Sequence, residues 1–315
     1  EIEENPKLEV QEDNATPSAA ANRSEHMADV SGDSPEKAEG KPQSKAIRFS
    51  HYASTDDGEG KRKKAELGSK TEDINEDRYF FVQDGDIAFG LVADGISTST
   101  YGSGGQAAEI IRKTAKQLWE ERKASLEKDA DVHHLLHDLV ETANTRIVDE
   151  VNAILQAAEE KEPKDTMGST LVAAVIFQKR LYALSIGDSR MYLYNKNDGL
   201  QLLFGDENLQ NESLASGWLW RELDDLDNKS SLTQHIGMAE WNDGMFQAKS
   251  PSYTLKEVNL FREEVVFLCS DGLTDYLHSL GYLDDVWAAD EQIHHVFTKY
   301  LQREETEEPL KDAIE

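Results

Sequence analysis

The order of elements along the chain predicts an α+β fold with antiparallel β-sheets. Strand-like segments come first, two long amphipathic helices follow, and a second block of strands comes after the helices. A parallel α/β fold would instead alternate single strands with helices, and the sequence has no such repeat. Short turns join several of the neighbouring strands, which is typical of antiparallel pairs.

The first predicted elements are three strands. Residues 47–52 alternate between apolar and polar side chains, as a strand with one buried face does. Residues 79–83 and 87–93 are apolar runs on either side of an Asp-Gly-Asp turn at 84–86, so they predict a β-hairpin.

Two helices are predicted after this hairpin. Ser103 and Gln106 lie three residues apart at the start of the first helix, which is the spacing of a capping box. Each helix has a single apolar stripe, which fits a helix lying on a sheet and not one that spans a membrane. The stripes contain Ala108, Ile111, Ala115, Leu118 and Trp119 in the first helix, and Val132, Leu135, Leu139, Ala143, Ile147, Val151 and Ile154 in the second.

A second block of strands follows the helices. Residues 169–177 and 181–186 flank a turn at 178–180, and residues 191–194 continue the block. Residues 206–229 are polar and are predicted to be irregular, after which strand-like sequence extends to Asp271. Residues 290–303 predict a final helix.

Charge and composition exclude several classes of function. The 315 residues carry a formal net charge of −29, and 38% of them are hydrophobic. Such an acidic surface repels nucleic acids and anionic membranes, so we expect neither as a partner. A single cysteine excludes a disulfide framework, and we find no apolar run of about 18 residues and no leader. We therefore expect a cytoplasmic protein, whose oligomeric state the sequence leaves open.

The chain is predicted to consist of a tail and one domain. Residues 1–45 are rich in Glu, Asp, Ser, Pro and Ala and are poor in aromatic and β-branched residues, so we expect a disordered acidic tail. Residues 46–315 form the predicted domain. Because the chain begins with Glu1 and not with methionine, we expect it to be a segment of a longer polypeptide.

Two apolar strands end in the same way. Residues 91–95 read Leu-Val-Ala-Asp-Gly and residues 268–272 read Leu-Cys-Ser-Asp-Gly. An isolated carboxylate is too costly in a dry core, so each aspartate must lie at the strand end within reach of water, a cation or donors. The glycine lets the backbone turn sharply there. Two strands that deliver carboxylates to sheet edges suggest one shared site for a hard cation.

Six acidic residues lie at strand ends or beside glycine turns, and together they strengthen this hypothesis. Two carboxylates about 4 Å apart repel each other by roughly 4 kcal/mol at an effective dielectric constant near 20. Such a set gathers only around cations or by taking up protons, and oxygen ligands favour Mg²⁺ or Mn²⁺. Two such ions roughly 3.5–4 Å apart share and activate a water molecule. The set is Glu76, Asp77, Asp94, Asp188, Asp271 and Asp275.

Two weaker motifs allow other interpretations. His133, His134 and His137 place two imidazoles one helical turn apart, as in a metal-binding pair, but solvated helix residues are the commoner explanation. Gly102, Gly104 and Gly105 precede a helix and could cradle a phosphate, although loop geometry explains a lone glycine cluster equally well.

These motifs resemble those of the metal-dependent serine/threonine protein phosphatases of the 2C type. The resemblance extends from about residue 47 to residue 278, and its motifs occur in the family's order. They are Asn-Glu-Asp-Arg at 75–78, Val-Ala-Asp-Gly at 92–95, Gly-Ser-Thr at 168–170 with Gly-Asp-Ser-Arg at 187–190, the block at 232–237, and Ser-Asp-Gly-Leu-Thr-Asp at 270–275.

The resemblance implies a fold and a reaction. The fold is two antiparallel sheets packed as a sandwich with the long helices outside. The reaction is hydrolysis of phosphoserine and phosphothreonine in a phosphorylated protein substrate by a metal-bridging hydroxide, with two or three Mg²⁺ or Mn²⁺ ions.

The resemblance also implies roles for individual residues. Asp94 and Asp271 would be the catalytic metal ligands, with Asp94 bridging two ions and the carbonyl of Gly95 binding one of them. Glu76 and Asp77 form the first acidic motif. Asp188 and Asp275 would serve a third ion.

Three departures from the family pattern support an alternative. Where members carry a phosphate-binding arginine this chain has Glu72, and the nearby Lys70 is the candidate substitute. Ile96 and Ser97 follow Asp94-Gly95, so no histidine acid stands there, and no Asp-Asn pair of a closing strand follows Asp275. The alternative is a catalytically impaired pseudophosphatase that acts as a protein-interaction module. A third hypothesis is an acidic scaffold that works through its tail.

Overall fold

The computed structural model describes Ala53 and residues 75–158, 162, 164–223, 228–274 and 287–301. All of them belong to one unit, Ala46–Glu315. The predicted tail at 1–45 and the predicted strand at 47–52 lie outside the described residues. No helix in the described ranges combines the length and the apolar content that crossing a bilayer requires.

The described elements are, in chain order, β1 (Arg78–Asp84), β2 (Ile87–Ala93), α1 (Gly104–Arg122), a 3₁₀ turn (Lys123–Ser125), α2 (Asp129–Ala157), β3 (Leu171–Phe177), β4 (Arg180–Ile186), β5 (Arg190–Asn195), β6 (Gly199–Leu202), α3 (Leu209–Ala215), α4 (Trp220–Leu223), β7 (Ala239–Asn242), β8 (Met245–Ala248), β9 (Thr254–Asn259), β10 (Val265–Cys269) and α5 (Trp287–Leu301). The strands, the two long helices and the second block of strands follow in the predicted order. Residues 206–229, predicted to be irregular, instead contain α3 and α4. The side chain of Asn208 caps α3 by accepting from the N–H of Asn211, a local signal that the sequence analysis did not use.

The strands form two larger antiparallel sheets and a small hairpin. The first sheet has the order β1-β2-β3-β4-β9, the second has the order β10-β5-β6, and β7 pairs with β8. All of these pairs are antiparallel. The predicted hairpin is confirmed, because β1 and β2 pair from Arg78↔Ala93 to Asp84↔Ile87.

The two larger sheets pack face to face. Alternate residues of β3 and β4 point toward the second sheet, where they bury Val172, Ala174, Leu181 and Ala183 together with Met191 of β5. Side chains of a strand alternate between its two faces, so the remaining residues of β3 face the opposite way. The predicted sandwich of antiparallel sheets is confirmed.

Helices cover the outer faces of the sandwich. The stripes of α1 and α2 pack against the first sheet, and Trp119 lies 6.1 Å from Phe89 between ring centroids. The predicted capping box of Ser103 and Gln106 is present, with both of its hydrogen bonds formed. On the second sheet, Phe297 of α5 packs 5.7 Å from Tyr194.

Candidate functional site

The aspartate that follows β2 is fixed through its own main chain. The N–H of Asp94 donates to the hydroxyl of Thr170 at 3.1 Å, and its C=O accepts from the N–H of Thr170 at 2.9 Å. Thr170 is buried, and its hydroxyl also lies 2.7 Å from the hydroxyl of Ser189. Asp94 directly follows β2, Thr170 directly precedes β3 and Ser189 directly precedes β5. The ends of these three strands therefore fix the position of the main chain of Asp94.

Three carboxyl groups meet at this point. The carboxyl of Asp94 makes hydrogen-bond contact with those of Asp77 and Asp271. Asp77 immediately precedes β1 and Asp271 comes two residues after β10, so the acids arrive from both sheets of the sandwich. Burial first, and then the charge of Asp77 and the contact with Asp271, raise the pKa of Asp94 to about 10. At neutral pH this acid keeps its proton unless a cation takes the proton's place.

Hydroxyl and amide groups hold the acids of the first motif. Ser270 donates to Oδ2 of Asp77 at 3.0 Å, and the side-chain oxygen of Asn75 accepts from the N–H of Asp77 at 2.8 Å. The hydroxyl of Ser97 donates to the carboxylate of Glu76. Glu76 and Asp77 are therefore oriented by residues that lie beside Asp271 and Asp94 in the sequence.

Gly95 lies against the start of α1. A Cβ atom at Gly95 would overlap the main chain of Gly104, and a Cβ atom at Gly104 would overlap the main chain of Gly95. The helix therefore begins in direct backbone contact with the residue that follows Asp94. The glycine cluster was explained either as a phosphate cradle or by loop geometry. This backbone contact supports the second explanation.

A comparison with models of protein families identifies the family of the chain. Residues 68–315 match the family model described as protein phosphatase 2C. The chain belongs to the protein phosphatase 2C family. Its predicted family resemblance is confirmed.

Individual relatives agree with this family assignment. The chain is 29% identical to the serine/threonine phosphatase stp of Listeria innocua over 188 residues, which cover 59% of this chain and 66% of the relative. The match thus spans slightly less than two thirds of that relative's length. The serine/threonine phosphatase of S. agalactiae has a similar structure, with a TM-score of 0.53, 23% identity, and coverage of 76% of this chain and 85% of the other. Phosphatase Stp1 of Staphylococcus aureus is similar as well, with a TM-score of 0.52, 20% identity, and coverage of 76% and 82%. The structural matches show the protein phosphatase 2C fold.

Of the other predicted site residues of this family member, one lies in a turn and two lie outside the described ranges. Asp188 lies in the turn between β4 and β5, directly after Gly187, whose φ is +93°. The contacts that shift the pKa of Asp94 come from Asp77 and Asp271, and Asp188 is not one of them. Lys70 and Asp275 lie outside the described residues, so their predicted roles stay predictions.

Asp94 is the acid that contacts both of the others, Asp77 and Asp271. In the described ranges, no three or more His, Cys, Asp and Glu side chains are arranged as the ligands of a formed metal site. The contacts of Asp94 with Asp77 and Asp271 nevertheless point the oxygen atoms of three acids at one another. Oxygen atoms that face one another in this way are placed to share either a proton or a cation.

The histidines weighed as a possible metal pair have other partners. Nε2 of His133 lies 3.0 Å from a carboxylate oxygen of Glu257, and Nδ1 of His137 lies 3.1 Å from the hydroxyl of Tyr253. These contacts tie α2 to β9 and to the segment before it, so each imidazole contacts a protein side chain in the described structure.

Sequence reasoning missed the hydroxyl groups that orient the acids. Ser270 and Ser97 each donate to an acid of the first motif, although about 193 and 21 residues, respectively, separate the partners. The only sequence signal is that each serine lies close to another predicted site residue, Asp271 or Gly95. Adjacency of that kind does not indicate which distant acid a hydroxyl will reach.

Proposed function

We propose that this protein phosphatase 2C family member is a Mg²⁺- or Mn²⁺-dependent phosphatase that hydrolyses phosphoserine and phosphothreonine in proteins. The observation that carries the proposal is the convergence of Asp77, Asp94 and Asp271 from three strand ends. Structural ion pairs do not explain it, because the partners of Asp94 in this contact are themselves acids.

The donor set fits a hard divalent cation. Asp77, Asp94 and Asp271 offer only oxygen atoms, which Mg²⁺ and Mn²⁺ prefer, and burial makes an unneutralised charge there costly. We propose that these three acids hold the ions with Glu76 and the carbonyl of Gly95, and that Asp188 and Asp275 serve a third ion. When bound, two such ions lower the pKa of a shared water and supply the nucleophile.

The residues around the acids maintain the geometry that this chemistry needs. Thr170 fixes the main chain of Asp94, Ser270 orients Asp77, and Ser97 orients Glu76. Ligands whose rotamers are held by a surrounding shell of hydrogen bonds bind metal with less loss of conformational entropy. These hydroxyls therefore act as positioning groups for the acids in the proposed reaction.

A matched pair of aspartate variants tests the proposal. The chain should hydrolyse a phosphothreonine peptide only when Mn²⁺ or Mg²⁺ is added, and Asp94→Asn should lower kcat/KM by at least about 100-fold because it removes a carboxylate oxygen that would hold the metal ions. Asp84→Asn changes an exposed aspartate at the other end of β1 and should leave the rate unchanged. Full metal-dependent activity in Asp94→Asn would refute the assignment.

The second candidate function is a pseudophosphatase that binds proteins without turnover. Glu72 favours it, because an acid at the position of the family's arginine repels a phosphate group. Isothermal titration with Mn²⁺ distinguishes the two candidates. Uptake of two ions together with turnover supports the enzyme, whereas a folded chain that takes up fewer ions and shows no turnover supports the pseudophosphatase.

A further inference from the structure

A cleft next to the acidic cluster has two arginines on its walls. Its volume is about 440 Å³, and Asp77, Arg78, Tyr79 and Arg112 lie on its walls. Asp77 also contacts Asp94, so the cleft and the proposed catalytic site share a wall. The cleft is open to solvent between the start of β1 and the outer part of α1, where Tyr79 is 41% exposed.

Three cations surround a single carboxylate at this cleft. Glu109 of α1 lies 2.7 Å from Arg112, 3.5 Å from Arg78 and 3.6 Å from Lys113. The hydrogen bond from Arg112 lowers the pKa of Glu109, so this carboxylate is ionised at neutral pH. Counted as formal charges, these three cations against Glu109 and Asp77 leave an excess of one positive charge, in a chain whose net charge is −29.

The two guanidinium groups are held in place by the fold. Arg78 donates from Nη1 to the carbonyls of Asn75 at 2.9 Å and Asp77 at 2.8 Å, so it is fixed to the loop that carries the first acidic motif. Arg112 is held by Glu109 in a two-point contact of 2.7 and 2.8 Å. A guanidinium fixed by such contacts loses little entropy when it binds a further anion, and its planar shape matches carboxylates and phosphates.

We propose that this cleft binds an anionic side chain of the substrate, next to the phosphorylated residue in its sequence. The proposal rests on the phosphatase function proposed above and specifies its substrate class as phosphosites with an acidic or a second phosphorylated flanking residue. An extended peptide advances by about 3.3–3.6 Å per residue. Side chains one to three residues from the phosphorylated residue therefore lie within about 11 Å of it along the peptide, which is the range to scan.

Kinetics on matched phosphopeptides test the proposal with the full chain and Mn²⁺. The peptides share one phosphothreonine and carry Ala, Asp or a phosphonate analogue of phosphoserine at one position, scanned from three residues before the phosphothreonine to three after it. At one position we expect kcat/KM to exceed the Ala peptide about fivefold, mainly through KM, as one fixed ionic contact allows. The Asp and phosphonate arms show whether a carboxylate or a phosphate group is preferred.

Two variants on α1 test whether the preference for acidic peptides arises in the cleft. Arg112→Gln should reduce the acidic-to-Ala ratio of kcat/KM to below about twofold, because it removes one of the two guanidinium groups. Lys116→Gln removes an exposed charge one turn further along α1, outside the lining of the cleft, and should retain the ratio. The preference in the wild-type chain should also shrink when salt is raised, which tests the contact without any variant.

The outcomes separate this inference from the proposed function. Equal kcat/KM for acidic and Ala peptides at every position, or a preference that Arg112→Gln retains, overturns the subsite while the phosphatase stands. If no peptide is hydrolysed, the proposed function fails, and fluorescence anisotropy of the same labelled peptides decides the subsite. Tighter binding of an acidic peptide that Arg112→Gln abolishes supports it, and equal binding overturns it.

Discussion

The N–H of Asp94 donates a hydrogen bond of 3.1 Å to the hydroxyl of Thr170, which lies 76 residues further along the chain. The same hydroxyl lies 2.7 Å from that of Ser189, in the turn that also contains Asp188. One buried threonine therefore links the loop after β2, the start of β3 and the start of β5. The position of the central acid of the proposed site depends on this link.

Replacing Thr170 by valine should damage both stability and metal binding. Valine keeps the size of the side chain but leaves the N–H of Asp94 and the hydroxyl of Ser189 without this partner, which costs roughly 1–3 kcal/mol of unfolding free energy. We expect the Mn²⁺ dissociation constant to rise several-fold, measured by isothermal titration.

Thr170→Ser is the matched control, because it keeps the hydroxyl and loses only the methyl group. It should bind Mn²⁺ as the wild-type chain does. Weaker metal binding in Thr170→Ser that equals the effect of valine would mean that the methyl group, and not the hydrogen bond, positions Asp94.

Asp94→Asn should stabilise the metal-free protein. The pKa of Asp94 is raised from 3.8 to about 10, so the folded state keeps a proton that the unfolded state releases between these values. The stabilisation that the raised pKa of Asp94 gives to the folded state is therefore complete below about pH 4. It is lost progressively as the pH rises toward 10. Asparagine does not ionise, so at pH 7 in EDTA it should raise the unfolding free energy by roughly 1–3 kcal/mol.

The difference in unfolding free energy between Asp94→Asn and the wild-type chain should depend on both pH and metal. The advantage of Asp94→Asn should narrow toward pH 4, and added Mn²⁺ should reverse it because only the wild-type chain gains binding free energy. Urea unfolding at pH 4 and pH 7, with and without Mn²⁺, measures all four cases. An asparagine variant that is less stable in EDTA at pH 7 would mean that Asp94 is not a buried, protonated acid.

The buried pair of Arg190 and Asp206 should contribute much more to the unfolding free energy than an exposed pair beside the same strand. Arg190 starts β5 and makes two hydrogen bonds to Asp206, of 2.9 and 2.8 Å, with side chains only 8% and 15% exposed. Asp206→Asn removes the charge that compensates a buried guanidinium and should cost about 3–5 kcal/mol.

An exposed ion pair beside β5 provides the comparison. Lys196 lies 3.4 Å from Glu263, and both side chains are more than 60% exposed. Glu263→Gln should therefore change the unfolding free energy by no more than about 1 kcal/mol. Similar losses for Asp206→Asn and Glu263→Gln in urea unfolding would contradict the burial argument.

Local patterns were sufficient to predict much of the fold. The β1–β2 hairpin follows from two apolar runs around an Asp-Gly turn, and the capping box of α1 follows from residues three apart, so neither depends on distant partners. The family motifs also named Asp77, Asp94 and Asp271, because each lies at a strand end. The short helices α3 and α4 were missed because brief polar helices have no apolar stripe to show their period.

Long-range contacts could not be predicted in the same way. Which hydroxyl meets which acid is decided by the packing of two sheets, as with Ser270 and Asp77. The cations that Glu109 gathers from β1 and α1 likewise depend on how a helix crosses a strand. The net charge of the sequence predicted an acidic surface and gave no indication of the cleft that Arg78 and Arg112 line.

Asn144 of α2 should affect catalysis through the loop at Gly237, to which its side chain is hydrogen-bonded. Its side-chain oxygen accepts from the N–H of Gly237 at 2.7 Å, and its amide donates to the carbonyl of Lys249 at 3.0 Å. Ile236, just before Gly237, exchanges main-chain hydrogen bonds of 2.8 and 2.9 Å with Ser169, the residue before Thr170. Loosening Gly237 therefore loosens the support of Asp94.

Asn144→Ala and Asn152→Ala form a matched pair on one helix. Asn152 bonds the main chain of Phe246 in β8 at 2.8 and 2.9 Å, so it holds a hairpin and not the loop beside Ser169. Both variants should lose roughly 1–3 kcal/mol of stability, because each leaves buried or half-buried main-chain groups without a partner. Only Asn144→Ala should also lower kcat and weaken Mn²⁺ binding at a temperature where both remain folded. If the two variants lower kcat equally, the loss reflects general destabilisation, and the path from Asn144 through Ser169 to Asp94 is wrong.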